Sequence, residues 1–282
     1  PVWEQMRLAY EYGARQIWIV NVGDIKPMEL PVHFFLDYAW NPEEWSTDRV
    51  AEYARVWAQQ QFGATYAERI GRILTAYTTF NSRRKPELLS PETYNLHNYR
   101  EAERVVSEYA ALADEARRIA TALRPDQQDA YYQLVLHPVE ACATLNDLYV
   151  TVARNRLFAR QGRASTNTLA ARAGELFRKD SALSHYYNTT LAGGKWSHMM
   201  DQTHISYTTW QQPEKDVLPD VETIRLNTVA DMGVAIEGSD TWWPHDTNEA
   251  ALPGFDPYSR QSHFIEVFAR GTLPVQYAIS AP

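Results

Sequence analysis

Hydrophobic side chains recur every three or four positions along most of this chain, and two short stretches break that rhythm. Val50, Tyr53, Ala54 and Trp57 share one helical face, Ala67, Ile70, Leu74 and Tyr77 share the next, and Gly63 separates the two. The most regular stripe follows a loop at Pro86 and Pro91. It runs through Tyr99, Ala102, Val105, Val106, Tyr109, Leu112, Ala113, Ala116, Ile119, Ala120 and Leu123. Its spacing drifts as 3.6 residues and not as a strict heptad, which favours bundle packing over a coiled coil. Pro125 opens another helix carrying Ala130, Leu134, Leu145, Leu148 and Val152, with Pro138 expected to kink it near its middle. A last helix is expected from near Asn167 to Gly193-Gly194. These amount to about five long helices, an antiparallel bundle.

The first break lies near the start. Residues 3–15 have helical spacing, Gly13 is a stop, and "IWIVNV" at 17–22 reads as a short buried strand. A helix feeding an apolar strand is the pattern of a parallel sheet in an α/β unit. Pro27 then permits a helix from about Met28 to Trp40, and Asn41, Pro42, Glu43 and Glu44 combine a cap, an N1 proline and first-turn carboxylates for the next. The second break follows Gly194. "KWSHMMDQTHISYTTWQQPEKDVLPD" has no sustained period and reads as an ordered connector, while "MGVAIEGS", "SHFIEVFARG" and "VQYAIS" are strand-like runs that open an all-β domain.

Composition narrows the function classes. Twenty-seven basic residues against 35 acidic give a net charge of -8, and the single basic cluster is Arg83, Arg84 and Lys85, so a nucleic-acid groove is not expected. No run of about 18 apolar residues exists to span a membrane. The single cysteine, Cys142, can form no internal disulfide and reads as a buried thiol. Phosphate-loop, nucleophile-elbow and zinc-protease motifs are absent, and neither a metal nor a cofactor is expected. His198 and His204, six apart around Asp201, do not have ligand spacing and read as hydrogen-bonded packing. The aromatics between Trp196 and Trp210 could stack on sugars, but packing between domains accounts for them more simply; the same holds for Trp242-Trp243.

Residues at the exit of the first strand carry the candidate chemistry. In a parallel sheet or barrel, Asn21, Asp24, Lys26 and Glu29 lie at the carboxyl end, where such folds build active sites. The competing reading is that Asp24 and Glu29 cap the helix begun near Pro27. The chain opens without a Met or a signal pattern and stops on a strand-like run, so flanking material is expected on both sides. A secreted or periplasmic location is compatible with this, the signal region lying outside the sequence.

The stretches "IWIVNVGDIKPMELPVHFFLDYAWNP", "LSPETYNLHNYREAERVV", "GKWSHMMDQTHISYTTWQQP" and "VAIEGSDTWWP...LPGFDPYSRQSHFIEVFARG" together resemble glycoside hydrolase family 115, the xylan α-glucuronidases. The resemblance covers nearly the whole chain in order. It implies a mainly α chain with α/β and β pieces. Residues 1–41 would be the last helix and strand of a (β/α)8 TIM barrel, 42–194 the helical bundle, 195–221 an ordered linker and 222–282 the start of a β-sandwich-like domain. The implied activity is removal of glucuronic acid or its 4-O-methyl form from glucuronoxylan with inversion. The resemblance carries Asn21 over as a substrate-contacting or water-positioning group. Asp24 follows as an assisting acceptor, and Lys26 and Glu29 as the pocket rim. The general acid and base are expected on earlier barrel strands. A homodimer through the bundle is also implied. The reading of another class is a noncatalytic helical scaffold with a β module that binds a protein partner or glycan.

Overall fold

A computed structural model describes residues 2–23 and 26–280. The elements in order are α1 (Val2–Glu11), α2 (Glu29–Trp40), α3 (Thr47–Phe62), α4 (Ala64–Asn81), α5 (Glu101–Ala122), α6 (Pro125–Tyr131), a π-helical segment (Tyr132–Leu136), α7 (His137–Arg160), α8 (Thr166–Thr189), β1 (Met232–Ile236) and β2 (Ile265–Ala269). The fold is therefore mainly helical, with a small antiparallel sheet. The chain divides into two units, and α5, α7 and α8 contribute residues to both. Unit 1 comprises residues 1–83, 109–143 and 183–201; unit 2 comprises 84–108, 144–182 and 202–282.

The core of unit 1 is built on the predicted stripes. Tyr53, Trp57, Ala58 and Phe62 of α3 pack with Ile70, Ile73 and Leu74 of α4, and with Ala116, Ile119, Tyr131 and Val135. Gly63, at φ +87°, turns the chain between α3 and α4 in a region that L side chains rarely adopt. Gly71 lets the same two helices touch backbone to backbone: a Cβ there would lie 2.8 Å from Arg55 Cα. Aromatic edges fill the remaining space, with Phe34 against Tyr53 at 4.8 Å between centroids and Phe62 against Tyr131 at 5.5 Å.

Three local expectations are revised. Residues 17–22 form no ladder, because strand N–H and C=O groups need a neighbouring strand and none of the described residues supplies one. Ile17 and Ile19 are 78% and 90% exposed, while Trp18 between them stacks on Tyr38 at 5.7 Å. The helix expected at Asn41-Pro42 is a single 3-10 turn, Pro42–Glu44, and the α-helix restarts at Thr47 after Ser46 takes an extended conformation. Pro138 does not produce a simple kink. It cannot donate to the carbonyl of Leu134, and the preceding residues widen into the π-helical segment Tyr132–Leu136 instead.

In unit 2, β1 and β2 pair antiparallel from Met232↔Ala269 to Ile236↔Ile265. "VQYAIS" forms no strand, so a sandwich is not seen among the described residues. Arg163, 4% exposed, ties this sheet to its helices. Its guanidinium lies 4.0 Å from the Phe158 ring centroid and 4.1 Å from that of Phe268, and it donates to Glu266 at 2.8 Å. Burial pulls the Arg163 pKa down, and Glu266 opposes this. Asn155, fully buried, donates to the carbonyls of Thr166 and Glu222 at 2.9 Å and accepts from Glu222 N at 2.7 Å, which fixes the chain at Glu222.

Residues 202–221 are held in the same way. Asp216 Oδ1 accepts from the backbone of His204 and Ile205 at 2.7 Å, Ile205 is fully buried, and His204 Nε2 pairs with Asp180 Oδ2 at 2.9 Å. Burial works against the charged imidazole, but Asp180, then the Gln202 carbonyl and then Asp216 outweigh it and hold the His204 pKa up at about 9. A folded pKa above the unfolded one gives stability that is full below about 6.5 and is lost as pH rises through about 9. The ring is a third exposed, so the contribution is discounted to about 2 kcal/mol. Thermal unfolding followed across that window should show the wild-type midpoint falling relative to His204→Gln, which lacks the titration. Parallel curves would show that the pair does not stabilise the fold.

Candidate functional site

A cleft of about 410 Å³ opens in unit 1 between α2, α3 and the α6–π junction. Residues at spacings of three and four share a helix face, and Glu29, Val32, His33 and Leu36 bring one face of α2 to it. Trp57 and Gln61 come from α3. Ala130, Gln133 and Leu134 come from the turn that widens ahead of Pro138. That widening has a consequence for the chemistry. Gln133 is turned into the interior, 4% exposed, and its Nε2 donates to the buried Tyr187 hydroxyl at 2.7 Å. Burial pushes the Tyr187 phenol up, its Gln133 bond opposes this, and the Glu29 charge adds to the upward shift.

Two of the four sequence-selected residues meet here. The Lys26 ammonium is ion-paired with the Glu29 carboxylate in the cleft wall. It also lies 4.8 Å from the ring centroid of Trp196, which Lys195 approaches at 4.9 Å. The second oxygen of Glu29, Oε2, is buried with no partner among the described residues, and an orphaned acceptor of that kind is costly unless something donates to it. Asn21 is exposed, and its Oδ1 accepts from Gly23 N at 3.2 Å, an Asx turn that fixes the chain just before the cleft. Among the described residues its Nδ2 has no partner. Asp24 lies outside the described residues.

Other groups are placed by contacts with no short sequence signal. His33 Nε2 lies 3.6 Å from Asp37 Oδ1, and the Tyr53 hydroxyl donates to Asp37 Oδ2 at 2.7 Å. Burial first, and the Asp37 hydrogen bond second, push the Tyr53 phenol well above its ordinary range. Gln133 and Tyr187 are distant in sequence, and the one available clue was Pro138, whose missing N–H disturbs the turn before it. His198 pairs with Asp201 at 2.5 Å on the exposed surface, where it packs against nothing among the described residues, whereas His204 pairs with the buried Asp180. No group of three metal-ligating side chains is present among the described residues.

The arrangement offers a cation, held by a Glu29 carboxylate whose second oxygen is buried, on a wall that also carries the indole of Trp57. This suits a polar ligand with an acidic group, with Lys26 as its counter-ion. Glu29 is the only carboxylate lining the cleft among the described residues, so this wall by itself does not hold a pair of acid–base groups.

Residues 1–88 match the family model described as Glycosyl hydrolase family 115. No curated protein matches the chain. Among the solved structures that match is one described as a novel family GH115 4-O-methyl-α-glucuronidase, BtGH115A, with specificity for decorated arabinogalactans. It is 24% identical, with a TM-score of 0.59, and the match covers 82% of this chain and 32% of that one. The chain thus spans about a third of the length of that protein. Over its first 88 residues in sequence, and over most of its length in fold, the chain is similar to glycosyl hydrolase family 115.

Proposed function

We propose that this chain is part of a glycoside hydrolase, an inverting α-glucuronidase that removes glucuronic acid or its 4-O-methyl form from xylan. The observation that carries this is a coincidence of place: the residues matching the family model, 1–88, are those that bring Lys26, Glu29, His33, Trp57 and Gln61 to one cleft. On this reading residues 1–41 close a catalytic barrel, 42–194 form the bundle, 195–221 the linker and 222–282 the start of a β-sandwich-like domain. The exposed Ile17 and Ile19 are then surfaces for neighbouring barrel elements.

Inverting hydrolysis needs an acid to protonate the leaving oxygen and a base to activate water, about 6.5–9.5 Å apart. On this reading the chain supplies the binding side of that chemistry. Asn21 positions water or a sugar hydroxyl, Asp24 assists as an acceptor, Lys26 meets the uronate carboxylate, and Glu29 holds Lys26 in place. The acid and base come from the remainder of the barrel.

The structural neighbour is described as acting on decorated arabinogalactans, so the substrate panel is glucuronoxylan and a glucuronic-acid-decorated arabinogalactan. NMR of the reaction of the protein with its flanking sequence should show uronic acid appearing first as the β-anomer, with xylan the better substrate. An α-anomer as first product would overturn inversion, and a preference for arabinogalactan would overturn the xylan assignment. Binding without release would establish the noncatalytic scaffold instead. The 282-residue chain alone should release nothing.

A further inference from the structure

Three quoted stretches that the unit 1 cleft does not use meet within unit 2. The loop of "LSPETYNLHNYREAERVV" docks on "VAIEGSDTWWP": Gly238 N donates to His97 O at 2.7 Å, His97 Nδ1 bonds Ser239 O at 3.0 Å, and Tyr99 N donates to Glu237 Oε1 at 3.1 Å. Glu237 is 6% exposed, and "SHFIEVFARG" supplies its other partners, His263 Nδ1 at 2.8 Å and Phe264 N at 3.3 Å. A buried carboxylate thus links the loop, through Tyr99 N, to His263 and Phe264.

The loop they hold is strained. Tyr99 and Arg100 both have left-handed backbone, at φ 56° and 49°, although neither is glycine. Such conformations are costly and persist where surrounding contacts over-determine them, characteristically at binding sites. Here the strained turn carries Arg100 to the edge of a cavity of about 190 Å³, with its guanidinium 4.6 Å from the Phe264 ring centroid. Arg154 of α7 reaches the same cavity, and Leu157 and Phe158 give it an apolar lining.

We propose that this cavity binds a small carboxylate-bearing ring, the size of one uronic acid, with the Arg100 and Arg154 guanidiniums as its anion clamp. The pairing of the charges supports an anion. The two arginines share a single carboxylate, Glu103, at 3.4 and 3.3 Å, and the remaining one, Glu266, is already taken by Arg163 at 2.8 Å. Both Glu103 contacts are longer than a good charge-assisted bond, so a ligand carboxylate can offer each arginine a better partner. The volume suits one ring and is small for a larger ligand, and Leu157, Phe158 and Phe264 give it apolar walls. The choice of a uronic acid rests on the function proposed above; the choice of a carboxylate does not.

The test is hydrogen–deuterium exchange on the protein with its flanking sequence, reading peptides over residues 95–104 and 150–158. Glucuronate should slow exchange in both, acetate should do so less, and xylose should not. Arg100→Met, at an exposed position, should weaken the protection on the order of tenfold in ligand concentration while exchange in unit 1 stays as in the wild type. Arg154→Met should act in the same direction. Equal protection by xylose, no protection by glucuronate, or protection unchanged in Arg100→Met would overturn the site; equal protection by acetate would overturn the ring. Uronic acid release without protection would leave the enzymatic reading standing and remove this one.

Discussion

Replacing Trp57 with alanine should lower the unfolding free energy by about 3–5 kcal/mol. Trp57 is 2% exposed, belongs to the continuous core of unit 1, and packs edge-on against Phe62 at 6.2 Å between centroids. Truncation loses the transfer free energy of the indole and leaves a void. Neighbours could shrink that void only by separating α3 from α4, and these are locked by the backbone contact at Gly71. The side chain also lines the cleft, so the void would merge with it and admit water. Denaturant titration of wild type and variant measures the loss, and Trp57→Phe should recover part of it. A change below about 1 kcal/mol would show that the interior of unit 1 is looser than its packing indicates.

The second large effect is on turnover, and it separates Lys26 in the cleft from Asn21, which precedes it in an exposed turn. In the protein with its flanking sequence, Lys26→Met should reduce kcat/KM by roughly 10- to 100-fold, mostly through KM, because a charge-assisted contact to the substrate carboxylate is worth about 1.5–3 kcal/mol and is made before the transition state as well as in it. Asn21→Ala should act mainly on kcat, by roughly 100-fold, if its carboxamide orients the attacking water. Lys26→Arg should retain more activity than Lys26→Met. Should both variants turn over like the wild type, these residues would be no more than the start of α2, with Glu29 as a first-turn carboxylate.

Much of the helical fold is legible in the sequence because amphipathic period, proline and glycine act locally. The faces of α3 and α4, the break at Gly63 and the start at Pro125 follow from residues within a turn of one another. Legibility fails where the cause is distant. The apolar run at 17–22 looks like a strand by composition, yet strand formation depends on a partner that composition does not name. Pro138 announces a disturbance, but whether a helix kinks or widens depends on packing around Gln133 and Tyr187. His204 could be noted as a histidine, while its partner Asp180 lies on α8.

The candidate site shows the same division. Lys26 and Glu29 were visible as charged residues following an apolar run, and the structure brings them together in one wall. The unsatisfied Glu29 oxygen and the contributions of Gln61 and Gln133 emerge only from the fold. In unit 2, Glu237 and His263 read as ordinary strand-end residues until Tyr99 is seen to depend on them.

The most direct measurement is release of uronic acid from glucuronoxylan by the protein carrying this chain with its flanking sequence, run beside Lys26→Met of matched thermal stability. The proposed function predicts sustained release by the wild type and a kcat/KM lower by roughly 10- to 100-fold in the variant. Xylan bound with no uronic acid released, or release at the same rate by both proteins, would contradict it.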